Sequence, residues 1–99
     1  MAVQRGLRDD SAVVREHAAH AAANLGPRLA EVVPALLDAL VDSSLEVRAG
    51  AAYSLGRAGP IARTAVPALG RALTDSSDQV RAMAEDALRW IRAGADDSG

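Results

Sequence analysis

The sequence predicts an all-α fold, built as a short α-solenoid of five to six helices. Three observations predict this fold. The same residues return every 33 positions, apolar residues within each copy follow a helical spacing, and Ser, Gly and Pro stand where helices begin and end. A fixed period of this length indicates stacked helical hairpins, each burying its apolar face against its neighbours.

The 33-residue period is carried by residues of several chemical types and needs no insertion to stay in step. Val14-Arg15 recurs as Val47-Arg48 and Val80-Arg81. The other matched sets are Asp9, Asp42 and Asp75; Ser11, Ser44 and Ser77; Leu7, Leu40 and Leu73; Pro34 and Pro67; and Gly26-Pro27 with Gly59-Pro60. The period divides the chain into a partial repeat 1–27, repeats 28–60 and 61–93, and a polar tail 94–99.

Each repeat is predicted to contain two helices. The first is expected from about Leu29 to Val41, because its apolar residues follow a helical spacing until Asp42 and two serines interrupt it. The second helix starts at that interruption and ends at the Gly-Pro pair, where Gly adopts a left-handed cap and Pro cannot continue the helix. Ser43 with Glu46, and Ser76 with Gln79, match the spacing of a capping box.

The second helices each carry one apolar stripe, which is predicted to face the core. The stripes are Val14, Ala18, Ala22 and Leu25; Val47, Ala51, Leu55 and Ala58; and Val80, Ala84, Leu88 and Ile91. Alanine is the most abundant residue and Phe is absent, so this core is made of small and aliphatic side chains that let helices approach closely.

The order of Pro34, Asp42 and Val47-Arg48, repeated as Pro67, Asp75 and Val80-Arg81, resembles the HEAT repeat family, including the type found in phycobilin-lyase-like bacterial proteins. The resemblance covers nearly the whole chain and implies a right-handed superhelix. It also implies that the recurring acids and arginines form a hydrogen-bonded ladder between repeats. These structural residues would be Asp9, Asp42, Asp75, Arg15, Arg48 and Arg81. The alternative is that they are ordinary solvated charges.

Composition disfavours several classes of protein. Eleven basic residues against 13 acidic ones give a net charge of -2, whereas dedicated nucleic-acid binders usually carry a basic excess. The absence of Cys excludes disulfides and thiolate metal sites. No apolar run approaches the roughly 20 residues of a membrane span. We therefore expect a cytoplasmic protein, and Ala and Arg in abundance without Lys suggest a bacterial one.

Larger side chains recur on the second helices, away from the apolar stripes. Equivalent positions hold His17, Gly50 and Met83; His20, Tyr53 and Asp86; and Asn24, Arg57 and Trp90. The resemblance places second helices on the concave wall of the solenoid, and Tyr, Trp and Arg often dominate interfaces. The predicted partner-binding residues are His17, His20, Asn24, Tyr53, Arg57, Met83, Asp86 and Trp90, with Glu16 and Arg89 at the margins. Alternatively, Ala-rich helices simply place larger residues where room exists.

One spacing hints at metal binding. His17 and His20 lie three residues apart on a helix, so both imidazoles can reach one metal, but only Glu16 or Tyr53 is available as a third ligand. Deoxyhypusine hydroxylase, another HEAT-like protein, uses several His-Glu pairs, whereas here the order is Glu16-His17 and no second pair exists. We therefore predict no metal, no cofactor and no catalytic residue.

The predicted function is a non-catalytic protein-interaction or scaffolding module whose partner is another protein. One alternative is an enzyme or enzyme-accessory subunit, related to bilin lyases or metal-binding HEAT proteins. A third is nucleic-acid binding, as in HEAT-like DNA glycosylases, which use a basic groove with aromatic contacts. Val3 and Leu7 at one end, and Trp90 and Ile91 near the other, predict either a fragment of a longer array or self-association through an end.

Overall fold

The computed structural model describes residues 2–96, and every regular element in that range is helical. The six α-helices are α1 (Ala2–Gly6), α2 (Ala12–Ala21), α3 (Val33–Ala39), α4 (Leu45–Ala58), α5 (Val66–Ala72) and α6 (Asp78–Asp96). Three 3₁₀ segments, Ala22–Asn24, Gly26–Val32 and Gly59–Ala65, join them. The prediction of an all-α fold is confirmed.

The helices form two layers of stacked hairpins. Each of α1, α3 and α5 packs against the helix that follows it, and these three make the first-helix layer. Helix α4 packs between α2 and α6, and these three make the second-helix layer. The shortest dimension of the molecule, 16 Å, fits two layers of helices whose axes lie about 8–10 Å apart, with Cα atoms about 2.3 Å from each axis. The stacking in line is that of an α-solenoid.

The first helix of each repeat is shorter than the sequence pattern predicted. The segment from Leu29 to Val41 is 3₁₀ up to Val32 and α-helical only from Val33 to Ala39. Pro34 lies in the first turn of α3, where its missing N–H leaves no intrahelical hydrogen bond unmade. Pro67 starts α5 in the same way after a 3₁₀ segment. An α-helix that continued through either proline would lose a hydrogen bond, so the chain changes helix type there.

The predicted capping boxes were wrong by one residue. Helix α4 begins after Ser44 rather than Ser43, and the hydroxyl that accepts a hydrogen bond at the start of α6 is that of Ser77, from the N–H of Val80 at 3.3 Å. The reason lies two residues earlier, where the carboxylate of Asp42 accepts the Ser44 N–H at 2.9 Å. This side-chain turn recurs in each repeat and fixes the helix start one residue later than the capping-box pattern does.

The ends of the second helices agree with the sequence in part. Gly26 and Gly59 have φ values of 60° and 65°, the left-handed conformation that favours glycine. Helix α6 differs, because it runs through the first residues of the expected polar tail to Asp96, while residues 97–99 lie outside the described range. Gly94 packs on Pro60 so closely that a Cβ would lie 2.8 Å from the ring, and this contact holds the last turn.

The core lies between the two layers and uses the predicted stripes. Val47, Leu55 and Val80 are fully buried, whereas Val14 is 41% exposed. The repeat gives Val14 the same position in its own hairpin, so the difference comes from the preceding hairpin, which Val14 lacks within residues 2–96. The apolar stripe therefore needs a neighbour to be covered, as expected for a one-dimensional stack.

Candidate functional site

Two bidentate ion pairs join successive repeats at the start of the second helices. Arg15 donates to Asp42 through Nε at 2.9 Å and Nη2 at 3.2 Å. Arg48 donates to Asp75 in the same way, at 2.9 and 3.1 Å. All four side chains are between 13% and 16% exposed, so these pairs are largely shielded from water. Each arginine thus reaches the acid 27 residues later, in the next repeat.

The same arginines also fasten the loop of their own repeat. Nη1 of Arg48 donates to the carbonyls of Asp42 and Ser43, at 2.9 and 3.3 Å. Arg15 does the same for the loop at Asp9, with Nη1 at 2.9 Å from the Asp9 carbonyl. All three nitrogens of each guanidinium therefore donate, which matches the fixed fork of arginine and would not suit lysine.

The two terminal members of the proposed ladder differ from the inner ones. Arg81 donates to the carbonyl of Asp75 at 2.6 Å and pairs with Asp78, one turn before it on the same helix. The carboxylate of Asp9 accepts the N–H of Ser11 at 2.8 Å and meets no arginine side chain within residues 2–96. The inter-repeat pairs are thus confined to Arg15 with Asp42 and Arg48 with Asp75 in the described range.

The paired carboxylates are more acidic than usual. Partial burial alone would raise the pKa of Asp42, but the hydrogen bonds from Arg15 and the Ser44 N–H, together with the arginine charges, outweigh it. The pKa of Asp42 therefore lies below its ordinary value of 3.8. Burial, Arg48 and the N–H of Ser77 act in the same way on Asp75, whose pKa is also lowered. Both groups are held in the charged form.

A row of three rings crosses the outward face of the second-helix layer. The His20 and Tyr53 ring centroids are 6.3 Å apart with the planes tilted by 46°. The Tyr53 and Trp90 centroids are 6.0 Å apart in an edge-to-face arrangement. His20 is exposed, Tyr53 is half-buried and Trp90 is 37% exposed. These three residues, here called the aromatic row, connect α2, α4 and α6 across the surface.

Two glycines of α4 allow the rings of His20 and Trp90 to pack closely against the backbone of that helix. A Cβ at Gly50 would be 3.1 Å from Nε2 of His20, and a Cβ at Gly56 would be 2.5 Å from Cε3 of Trp90. The central helix therefore carries Tyr53 between two places where neighbouring rings rest on bare backbone. Glycine inside a helix costs about 1 kcal/mol relative to alanine, so these positions carried a signal of close approach that the sequence analysis did not use.

The other predicted binding residues of the second helices differ in exposure. Asn24 and Arg57 are exposed, and Met83 and Asp86 are half-buried. Asp86 holds the position equivalent to Tyr53 but has no ring; it pairs with Arg89 one turn away, and Tyr53 meets Trp90 instead. Arg57 has no ion-pair partner in the part of the chain that the structure describes.

Residues 2–96 contain neither a cluster of metal ligands nor a helix able to span a membrane. His17 and His20 are exposed, and residues 2–96 contain no group of three or more His, Cys, Asp or Glu side chains arranged to hold a metal ion. Over the same residues, no helix combines the length and the apolarity that crossing a bilayer requires. The groups described at this surface are the aromatic row, the Arg57 guanidinium and the Asp86–Arg89 pair.

A comparison with protein-family models matches the model for HEAT repeats over residues 2–92. The chain belongs to the HEAT repeat family. The resemblance to the HEAT repeat family is thereby confirmed, along with the solenoid fold. No curated protein matches the sequence. HEAT repeats generally mediate protein–protein interaction or scaffolding, and HEAT repeat proteins are typically non-catalytic.

Proposed function

We propose that this HEAT repeat protein is a non-catalytic interaction module that binds another protein through the aromatic row and the polar side chains around it. The observation that carries the proposal is the continuity of the row, whose neighbouring ring centroids are 6.3 and 6.0 Å apart across three successive second helices. In this proposal the second-helix layer is the concave wall, and residues 28–60 and 61–93 are the two complete repeats.

The row has the properties of a preorganised interface. Tyr53 and Trp90 brace each other edge to face, and Trp90 rests on Gly56, so little rotamer freedom remains to be lost on binding. Exposed Tyr, Trp and Arg are the residue types that most often dominate binding free energy. Arg57, one helical turn from Tyr53, adds a charge without an ion-pair partner in residues 2–96. A partner with an apolar side chain beside a carboxylate matches this chemistry.

The alternative from the sequence, that the rings only fill space above small residues, makes a different prediction. A space-filling ring contributes to stability and nothing else, and its removal costs free energy of unfolding through a lost contact or cavity. A binding ring has a second effect, on the capture of a partner. Arg57 separates the two cases, because it is exposed and makes no ion pair within residues 2–96, so its replacement should change partner capture more than stability.

The test is affinity capture from the source organism followed by mass spectrometry, with the intact chain as bait. Replacing Tyr53, Arg57 and Trp90 by Ala, and separately Arg57 by Glu, should abolish or strongly reduce the same captured protein. The matched control replaces Ile61 and Arg63 by Ala, since both are exposed and lie outside the second-helix layer. Helical content and melting temperature are recorded for every variant. Undiminished capture by the triple variant and by Arg57→Glu refutes the proposal.

A further inference from the structure

A second surface lies in the first-helix layer. A pocket of about 210 Å³ opens between the C-terminal end of α3 and helix α5. Its apolar wall is formed by Leu37, Leu40, Val41 and Ala68, and Arg71 and Asp75 supply the charged groups. Val41 is 83% exposed, more than any other exposed large apolar side chain in residues 2–96. We call this surface the α3–α5 groove.

The repeat provides an internal control for this groove. Moving each lining residue back by 33 positions gives the corresponding positions of the preceding repeat. Leu40 corresponds to Leu7, Ala72 to Ala39 and Asp75 to Asp42, so the residues that pack or pair keep their character. Leu37, Val41 and Arg71 correspond to Gln4, Arg8 and Asp38. Three positions at the mouth have therefore changed, two from polar to apolar and one from negative to positive.

Packing of the stack does not require these changes, because the preceding repeat is built with the polar set. Leu37 is half-buried against the core and Val41 is open to water, so the outer part of Leu37 and most of Val41 are not covered by the fold. The volume of the pocket falls below the roughly 300–1,000 Å³ typical of sites for whole small molecules. It fits a single aliphatic side chain instead.

The charge at the mouth of the groove is positive. Asp75 is already neutralised by Arg48, which reaches its two carboxylate oxygens at 2.9 and 3.1 Å. Arg71 is exposed and has no ion-pair partner among residues 2–96. An arginine fork of this kind matches a carboxylate in bidentate geometry. The apolar pocket and the free guanidinium thus lie side by side.

We propose that the α3–α5 groove binds the C-terminal residue of a polypeptide, with its aliphatic side chain in the pocket and its terminal carboxylate on Arg71. The site is separate from the aromatic row and lies on the other helix layer, so the two surfaces accept different segments. A HEAT protein with both surfaces can hold two polypeptides at once.

The test uses N-acetyl-leucine as the probe and the methyl NMR signals of Leu37, Leu40 and Val41 as the readout. Saturable shifts of these methyls are expected, with weaker binding of N-acetyl-leucinamide, which lacks the carboxylate. Arg71→Asp should weaken binding about tenfold or more, since a charge-assisted hydrogen bond contributes roughly 1.5–3 kcal/mol and each 1.4 kcal/mol is tenfold. Val41→Arg should also weaken it. Both substitutions introduce the residue that the preceding repeat carries, so the fold should be retained.

The control is Arg63→Asp, which reverses another exposed arginine outside the groove. It should leave the affinity for N-acetyl-leucine unchanged, as should replacement of Tyr53, Arg57 and Trp90 by Ala. The absence of saturable shifts, equal binding of the amide, or unaltered affinity in Arg71→Asp would each overturn the proposal. None of these results depends on whether the aromatic row binds a partner.

Discussion

Arg48→Ala tests whether the inter-repeat ion pairs stabilise the stack. The substitution removes two hydrogen bonds to Asp75 and the hydrogen bonds to the loop carbonyls of Asp42 and Ser43. It leaves Asp75, which is 13% exposed, with the Ser77 N–H and no arginine partner across the repeat junction.

The expected cost lies between two limits. Exposed ion pairs contribute about 0–1 kcal/mol, and breaking a fully buried pair costs about 3–5 kcal/mol. Because the Arg48 and Asp75 side chains are 16% and 13% exposed, we expect a loss of about 2 kcal/mol in the free energy of unfolding. For a domain of this size each kcal/mol lowers the melting temperature by roughly 4–8 °C, so the loss corresponds to about 8–16 °C.

The assay is thermal and urea unfolding followed by circular dichroism, with Arg63→Ala as the control at an exposed arginine. A double-mutant cycle with Asp75→Ala isolates the pairwise free energy, which should exceed about 1 kcal/mol. Arg48→Lys should recover only part of the stability, because an ammonium group cannot make the bidentate contact. A change below about 0.5 kcal/mol in Arg48→Ala, with no coupling in the cycle, would refute a structural role for the pair.

Three further perturbations follow from the same structure. Because the pKa values of Asp42 and Asp75 are lowered in the folded protein, the unfolded chain binds more protons near pH 3–4 than the folded one. The stability that these two carboxylates contribute is therefore present above the ordinary pKa of 3.8 and is lost as pH falls through their folded-state pKa values. A pH series of melting temperatures should show that loss, and Asp42→Asn with Asp75→Asn should flatten it. Gly56→Ala should cost about 1–3 kcal/mol by urea unfolding, because the new Cβ would lie 2.5 Å from the Trp90 ring and 2.7 Å from the Cα of Ala87. Gly70→Ala, with open space around it, should stabilise by about 0.5–1 kcal/mol, and equal effects would contradict the close-approach interpretation. Ser54→Ala should cost about 1 kcal/mol in the same assay, since it deletes a buried hydrogen bond to the Ala19 carbonyl, and an unchanged midpoint would count against that contact.

The fold could be predicted from the repeat, because an α-solenoid follows from periodicity and periodicity is directly visible in a sequence. The family, the all-α class, the left-handed conformation of Gly26 and Gly59 and the end of α4 at Gly59 all followed from residues that return every 33 positions, whereas α2 ends earlier, at Ala21. The residue at which each second helix begins was harder to predict. Ser43 and Ser44 both suit a cap, and the choice between them is made by the Asp42 side chain, whose turn is visible only in the structure.

The candidate site was less predictable because it depends on contacts between helices. Equivalent positions suggested that Tyr53 and Asp86 belong to one row, yet the ring of Tyr53 meets Trp90, one turn further along α6. That meeting requires the bare backbone of Gly56 on the central helix. The sequence likewise could not say which acid Arg48 reaches, since its own repeat and the next each offer one. Arg48 reaches both, donating to the backbone carbonyl of Asp42 and to the carboxylate of Asp75.

The two ends of the stack differ in how much of the terminal hairpin is packed, so unfolding should begin at one end. Helix α6 has 19 residues and lies against α4 at a glycine, whereas α1 has five residues, none of them buried. A linear array opens first where a unit holds its neighbour over the least area. Amide protons of α1 and α2 should therefore exchange with solvent through local fraying, while those of α4 wait for the whole molecule to unfold. An interface laid across all three second helices would suppress that fraying, so the occupied and empty proteins should differ most at the amino-terminal hairpin.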